Sequence, residues 1–127
     1  MDIRVKQRDG TDCGAACLAS VARYYNLHLP VSRIRQKAGT DKKGTNVLGM
    51  VEAARSFGFE AKGFKGSFGN LTTIPLPAIA HTVKGSLHHY VVISRISKNH
   101  IQIMDPGDGE LHKRSHDDFK AQWTGVV

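Results

Sequence analysis

With 127 residues, of which 40% are hydrophobic and 23% charged, the chain can close one core without disulfide or metal staples and has an ordinary globular composition. No apolar run reaches the ~20 residues of a membrane span. The opening MDIRVKQRDG lacks the apolar core of a signal peptide, so the expected place of action is the side of the membrane on which the chain is made. The net charge of +7 raises nucleic acid as a partner, but Arg33, Arg35, Lys37, Lys42, Lys43, Lys62, Lys65, Lys113 and Arg114 are spread over several elements, with no aromatic stacking surface among them. A solvated basic face is the simplest reading, and an acidic peptide or anionic membrane nearby is the next.

The first patterned stretch is Gln7–Cys17, QRDGTDCGAAC. A Gly/Asp-rich turn runs into the Ala-rich apolar segment Ala15–Tyr25, which puts Cys13 at or near a helix N-terminus. Unpaired N–H groups and the positive end of the helix dipole there favour thiolate over thiol. Gln7 is placed to donate its side-chain amide to an oxyanion beside the Cys13 N–H. A lone cysteine is usually a small buried hydrophobe, and Cys17, one turn further on, is read that way. Cys-x3-Cys lacks zinc-knuckle spacing, no second ligand pair follows, and a structural disulfide is not expected without an export signal. No metal is expected.

After a break at Asn26 and His28–Pro30, Ser32 is expected to cap a short helix to Ala38, with Val31, Ile34 and Ala38 on one face and Gly39 as its stop. Thr40–Thr45 reads as a polar loop. Asn46 caps a helix whose Val47, Met50, Val51, Ala54 and Phe57 recur at core spacing, ended by Gly58. Phe59–Phe64 reads as a strand, Gly66–Asn70 as a loop, Leu71–Pro77 as an irregular approach, and Ala78–Val83 as a strand. Lys84–Ser86 turns into the strand His88–Ile96, and Ser97–Asn99 into the strand His100–Asp105. A PGDGE turn, a short strand from Leu111 and a helix around Ser115–Gln122 complete the chain. Helices first and antiparallel strands after make an α+β fold, N-terminal helices packed on a C-terminal antiparallel sheet, with residues 1–127 as a single domain.

The hairpin supplies what Cys13 lacks. His89, Val91 and Ile93 share one strand face, and His88, Tyr90 and Val92 share the other. If the loop Ser97–Asn99 has an odd number of residues, Val91 lies opposite Asp105, and His89 becomes its diagonal neighbour. A two-residue loop would separate them onto opposite faces. With the odd loop an acid orients an imidazole, which takes the thiol proton. His28, His100, His112 and His116 read as surface residues, His81 as a sheet or core histidine, and His88 as pointing away from the hairpin face. Asp-Pro-Gly is also an ordinary turn opener, so the trio in order carries more weight than any member.

QRDGTDCGAAC, HHYVVI and IMDPGDG, with the terminal F-x3-W-x-G of Phe119, Trp123 and Gly125, resemble the sequence blocks of the peptidase C39 family, the bacteriocin-processing cysteine proteases. The resemblance covers essentially the whole chain. It implies a papain-like cysteine protease fold and a domain excised from a longer ABC transporter. Matched by position, it implies Cys13 as nucleophile, His89 as general base, Asp105 as orienting acid and Gln7 as oxyanion donor. Both the motif and strand parity choose His89 over His88. The implied reaction is endopeptidase removal of an amphipathic helical leader from a bacteriocin or other peptide precursor after a double-glycine-type motif. It is coupled to export at the cytoplasmic face of the bacterial membrane. No cofactor is expected in this domain, ATP being used only by the transporter's ATPase domain. The expected partners are the precursor and the transporter's transmembrane and ATPase domains, with no nucleic acid. Relatives that lack the cysteine serve only as docking modules, and Cys13 argues against that here; the alternative is a non-catalytic leader-docking domain in which the triad persists without useful turnover.

Overall fold

The computed structural model describes residues 2–7, 12–38, 46–85 and 87–127. Arg8–Thr11 of the first turn, the Gly39 stop, the Thr40–Thr45 loop and Ser86 lie outside the described residues. Helix α1 (Cys13–Tyr24) is buried almost all round through its first two turns. Its Ala, Gly and Cys side chains are small enough for sheet and helices to approach from several sides, and it packs against the second strand and both neighbouring helices.

Helix α2 (Val31–Ala38) begins one residue before the expected cap. The Pro30 carbonyl, not the Ser32 hydroxyl, receives the N–H groups of Arg33 and Ile34. Proline fixes the backbone there and leaves its carbonyl free to accept. Ile34 is fully buried. Helix α3 (Val47–Ser56) starts as expected, with Asn46 Oδ1 accepting the Gly49 N–H at 2.7 Å, and Gly58 at φ +93° turns the chain away after it.

The expected strand Phe59–Phe64 does not form. Among the described residues its ladder contacts lie at its end, in two Phe64–Val127 hydrogen bonds and a Lys65–Val126 bridge. Gly63, with no side chain to pack, interrupts it. The expected Gly66–Asn70 loop is instead largely a 3-10 turn, Phe68–Thr73, opened by a reciprocal Ser67–Asn70 capping box and anchored by buried Leu71.

Strands β1 (Ala78–Lys84), β2 (Leu87–Ile96), β3 (His100–Asp105) and β4 (Glu110–Ser115) form one antiparallel meander in that order, and α4 (His116–Gln122) follows. Ile79, Tyr90, Val92 and Met104 pack on one face against Leu18, Ile34 and Met50. On the other face Ala80, Val91, Ile93, Ile101 and Ile103 pack with Leu71 and Phe119. The terminal F-x3-W-x-G pattern acts as a latch over the second core. Trp123 lies 5.9 Å from the Phe119 ring and donates Nε1–H to the Val126 carbonyl at 2.8 Å. Gly125, at φ +90°, passes so close to the Gly66 carbonyl that a Cβ would stand 3.0 Å from it.

The β2–β3 register corrects the sequence reading in its reason and keeps its result. Ser97 and His100 close the hairpin, leaving Lys98 and Asn99 as a two-residue loop, and Ile96 faces Ile101. That register alone would put residues 89 and 105 on opposite faces. A bulge between Ile93 and Arg95 then shifts the pairing by one, so that Ile93 faces Ile103 and Val92 faces Met104. Continued to the strand end, the shifted register brings Asp105 opposite Val91 and diagonal to His89.

Candidate active site

Cys13 is the first residue of α1, where its N–H has no acceptor within the helix. The preceding Asp12 does not cap the helix with its side chain. Its carboxylate, 1% exposed, pairs instead with Arg35 of α2, while its carbonyl accepts the Ala16 N–H at 2.8 Å. Arg35, read from sequence as part of a solvated basic face, is therefore a structural cation at the foot of the Cys13 helix.

His89 and Asp105 stand at the adjoining end of the sheet. Nε2–H of His89 donates to Asp105 Oδ1 at 2.6 Å, and the Gly107 N–H donates to the same oxygen at 2.8 Å. This fixes the tautomer, and Nδ1 is the ring nitrogen left for sulfur. The imidazole is also near enough to the Cys13 thiol to lower it, and the backbone N–H groups of Tyr90 and Gly14 act on the thiol in the same direction. Strand parity puts His89 on the face of Val91, whereas Cys13 belongs to the core on the face of Tyr90. They meet where β3 has ended beside β2, while β1 still pairs with β2 at Thr82–His89.

The electrostatics follow from these contacts. Burial pushes the Cys13 thiol up, but the hydrogen bonds from His89 and Tyr90 N–H, the charge on His89 and the Gly14 N–H outweigh it and bring the thiol below its ordinary value. The bonds to Asp105 and then Cys13 raise His89 to about 9 against the opposing effect of burial. The His89 hydrogen bond holds Asp105 below the usual carboxylate range. Both shifts act in the direction of a thiolate–imidazolium pair.

Gln7 ends the segment 2–7, whose Ile3 and Val5 are buried. Its backbone N–H donates to the Pro106 carbonyl at 2.8 Å and its Oε1 is buried, so it is tied to the turn that follows Asp105. His88 takes no part in this row. It is exposed, and its Nδ1 meets Nε2 of half-buried His81 at 3.2 Å. His28 and His100 are exposed as expected. His112 and His116 are half-buried, His112 paired to Asp108 at 2.7 Å and His116 bonded to the Ser97 carbonyl with its ring 4.9 Å from Phe68. Among the described residues no group of three or more His, Cys, Asp or Glu is arranged to hold a metal ion.

Cys17 is fully buried, and its thiol is pushed well above its ordinary value, by burial first and then by the charges of Cys13 and Asp105. It is a core residue. Cys17→Ser is expected to lower stability by about 1–3 kcal/mol through an ill-placed hydroxyl, seen as a lower melting temperature, without loss of activity at saturating substrate. Complete inactivity in a folded Cys17→Ser protein would place Cys17 in the chemistry instead.

Sequence reasoning missed an apolar groove of about 630 Å³ between the helices and the sheet, bordered by Leu18, Val21, Val47, Val51, Phe59 and Tyr90. Val47 and Val51 were read as core, yet both are only half-buried. The available signal was the width of the apolar band on α3, which also carries Leu48 at 66% exposure.

A thiol at a helix N-terminus, beside an imidazole hydrogen-bonded to a carboxylate on an antiparallel sheet, has the layout of a peptidase. The chain belongs to the peptidase C39 family, whose profile matches residues 3–127. It is 36% identical over 128 residues to the lactococcin-G-processing and transport ATP-binding protein LagD of Lactococcus lactis subsp. lactis, covering 97% of this chain and 18% of that protein. It thus spans less than a fifth of that relative's length. The peptidase domain of Streptococcus ComA, a bi-functional ABC transporter involved in quorum sensing, superposes with a TM-score of 0.88 at 38% identity, covering 96% of this chain and 92% of that one. A double-glycine-motif protease from an AMS/PCAT transporter, solved in complex with a leader peptide, superposes with a TM-score of 0.87 at 31% identity, covering 96% and 85%. These superpositions cover the α+β arrangement of this chain, helices on a four-stranded antiparallel sheet.

Proposed function

We propose that this chain is a cysteine endopeptidase domain that removes the leader from a peptide precursor after a double-glycine-type motif, at the cytoplasmic face of a membrane and in the setting of an ABC transporter that exports the product. The observation that carries this reading is the 2.6 Å His89–Asp105 bond beside a thiol lowered by the same imidazole. In the first half-reaction the Cys13 sulfur attacks the carbonyl carbon on the leader side of the scissile bond. The carbonyl oxygen gains charge between the Cys13 N–H and the Gln7 amide. His89, carrying the thiol proton, gives it to the leaving amine, and the leader remains as a thioester. In the second half-reaction His89 takes a proton from water, which releases the leader acid and restores the thiol. Asp105 keeps the ring oriented and stabilises its positive form throughout.

The apolar groove supports the choice of substrate, because an amphipathic leader helix would bury its apolar face there. The double-glycine-motif protease of similar structure, solved with a leader peptide, agrees with it. The net charge of +7 suits an acidic leader. The direct test is to mix the protein with a double-glycine precursor and weigh the products. Two fragments are expected, their masses summing to precursor plus one water, with the new carboxyl terminus on the second glycine. A precursor that binds and stays intact would leave only leader docking.

A further inference from the structure

The turn between β3 and β4 holds both sides of the candidate site. Asp105 Oδ1 receives the His89 and Gly107 N–H groups, the Asp105 carbonyl receives the Gly109 N–H at 2.8 Å, and the Pro106 carbonyl receives the Gln7 N–H at 2.8 Å. Gly109 is where this turn presses on the N-terminal segment. It is buried and lies at φ +72°, a conformation that side chains disfavour. A Cβ there would stand 2.8 Å from Lys6 Cβ and 3.1 Å from both Lys6 N and Cα. Two of these three contacts are to backbone, which cannot swing aside. Upstream the segment is already anchored, with Ile3 and Val5 in the core, the Ile3 carbonyl held by the Ser20 hydroxyl and the Arg4 carbonyl held by Arg23. A push at Lys6 is therefore taken up downstream, at Gln7.

We propose that Gly109 is a positioning residue for the oxyanion side of the site: its missing side chain lets the turn close on Lys6 and sets where Gln7 stands relative to Cys13. This rests on the reading of Gln7 as an oxyanion donor. Asp105 and His89, on the near side of the turn, are held by separate bonds and stay in place.

The test compares Gly109→Ala, Gln7→Ala and the double variant in the 127-residue chain, using a double-glycine precursor and, separately, alkylation of Cys13 by iodoacetamide. Gly109→Ala is expected to lower kcat about 10- to 100-fold with KM nearly unchanged. Its alkylation rate and the pH midpoint of alkylation should match the wild type, because alkylation needs the thiolate and no oxyanion site. The double variant should be no slower than Gln7→Ala alone, since Gly109 acts through Gln7. Unchanged kcat in Gly109→Ala, multiplied losses in the double variant, or an alkylation midpoint that moves with Gly109→Ala would each overturn the proposal. Full activity in Gln7→Ala would instead remove the oxyanion reading beneath it, an outcome distinct from a silent Gly109→Ala. Should Gly109→Ala fail to fold, adding Lys6→Gly removes the closest contact and is expected to restore folding with part of the lost kcat. No recovery in that variant would count against the steric argument.

Discussion

Cys13→Ala is expected to leave no measurable cleavage of a double-glycine precursor, and His89→Ala to lower the rate by about 10³- to 10⁴-fold. Both variants should keep the fold and bind the leader with nearly unchanged affinity. Removal of the thiol takes away the nucleophile itself. Removal of the imidazole takes away the hydrogen bond and charge that bring the Cys13 thiol down, together with the proton for the leaving amine. His88→Ala should change the rate far less, since His88 bonds His81 and not the thiol. Asp105→Asn should fall between the two, because an amide can still hold the ring but cannot stabilise its charge.

The pH profile gives a sharper reading of the same row. His89 is raised to about 9, so its proton, and the ion pair it supports, persist from below its ordinary value up to that pH and are lost above it. Cys13 lies below the ordinary thiol value, so the thiolate is lost on the acid side. Wild-type kcat/KM should form a plateau bounded by these two ionisations. In Asp105→Asn the alkaline limb should move to lower pH, because the largest effect raising His89 is gone. A limb that stays in place would separate Asp105 from the imidazole, and a larger loss in His88→Ala than in His89→Ala would discard the site as drawn.

How much of this site could be read from sequence differs from element to element, for physical reasons. Cys13 at a helix start was legible because an Ala-rich apolar run after Gly and Asp leaves few other places for the helix to begin. The pairing of His89 with Asp105 was legible only as a parity argument, and the premise of that argument was wrong. A two-residue turn was made instead of an odd loop, and a bulge at the Ile93–Arg95 step repaired the register. No composition rule marks that bulge, since Ser94 is an unremarkable strand residue. Phe59–Phe64 looked like a strand because strand propensity is local, whereas a strand needs a partner along its length, and among the described residues a ladder partner meets only the Phe64 end. Nothing in the sequence around Asp12 marks it as one half of a buried ion pair. Its true partner, Arg35, is contributed by a different helix and cannot be inferred from spacing. The groove was hidden for a related reason. Apolar residues on α3 show the same period whether they fill a core or line an open channel.

Deleting the leader helix from a precursor while keeping its Gly-Gly pair is expected to cripple cleavage of the remaining short peptide, and replacing the glycine beside the cut by Val or Leu is expected to suppress turnover of the full precursor. The two losses have different causes. Glycine buries almost no side-chain surface, and a flexible Gly-Gly pair loses much backbone freedom when held extended, so the residues at the cut contribute little affinity. Binding energy must come from elsewhere. Leu18, Val21, Val47, Val51 and Phe59 offer an apolar channel, and each large apolar leader side chain fully buried in it contributes about 1.5–3 kcal/mol. That energy holds the scissile carbonyl against Cys13, a residue only 8% exposed. The truncated peptide should therefore fail mainly through a large rise in KM. The Val or Leu precursor should bind the leader groove nearly as well as the parent and fail in kcat, because a side chain beside the cut must be rejected sterically for glycine to be selected at all. Val51→Asp, which puts a charge on the groove wall away from the thiol, should reproduce the KM effect with the intact precursor and leave alkylation of Cys13 unchanged. Efficient hydrolysis of the leaderless peptide, or tolerance of Leu beside the cut, would reject leader-directed recognition and leave a general thiol protease.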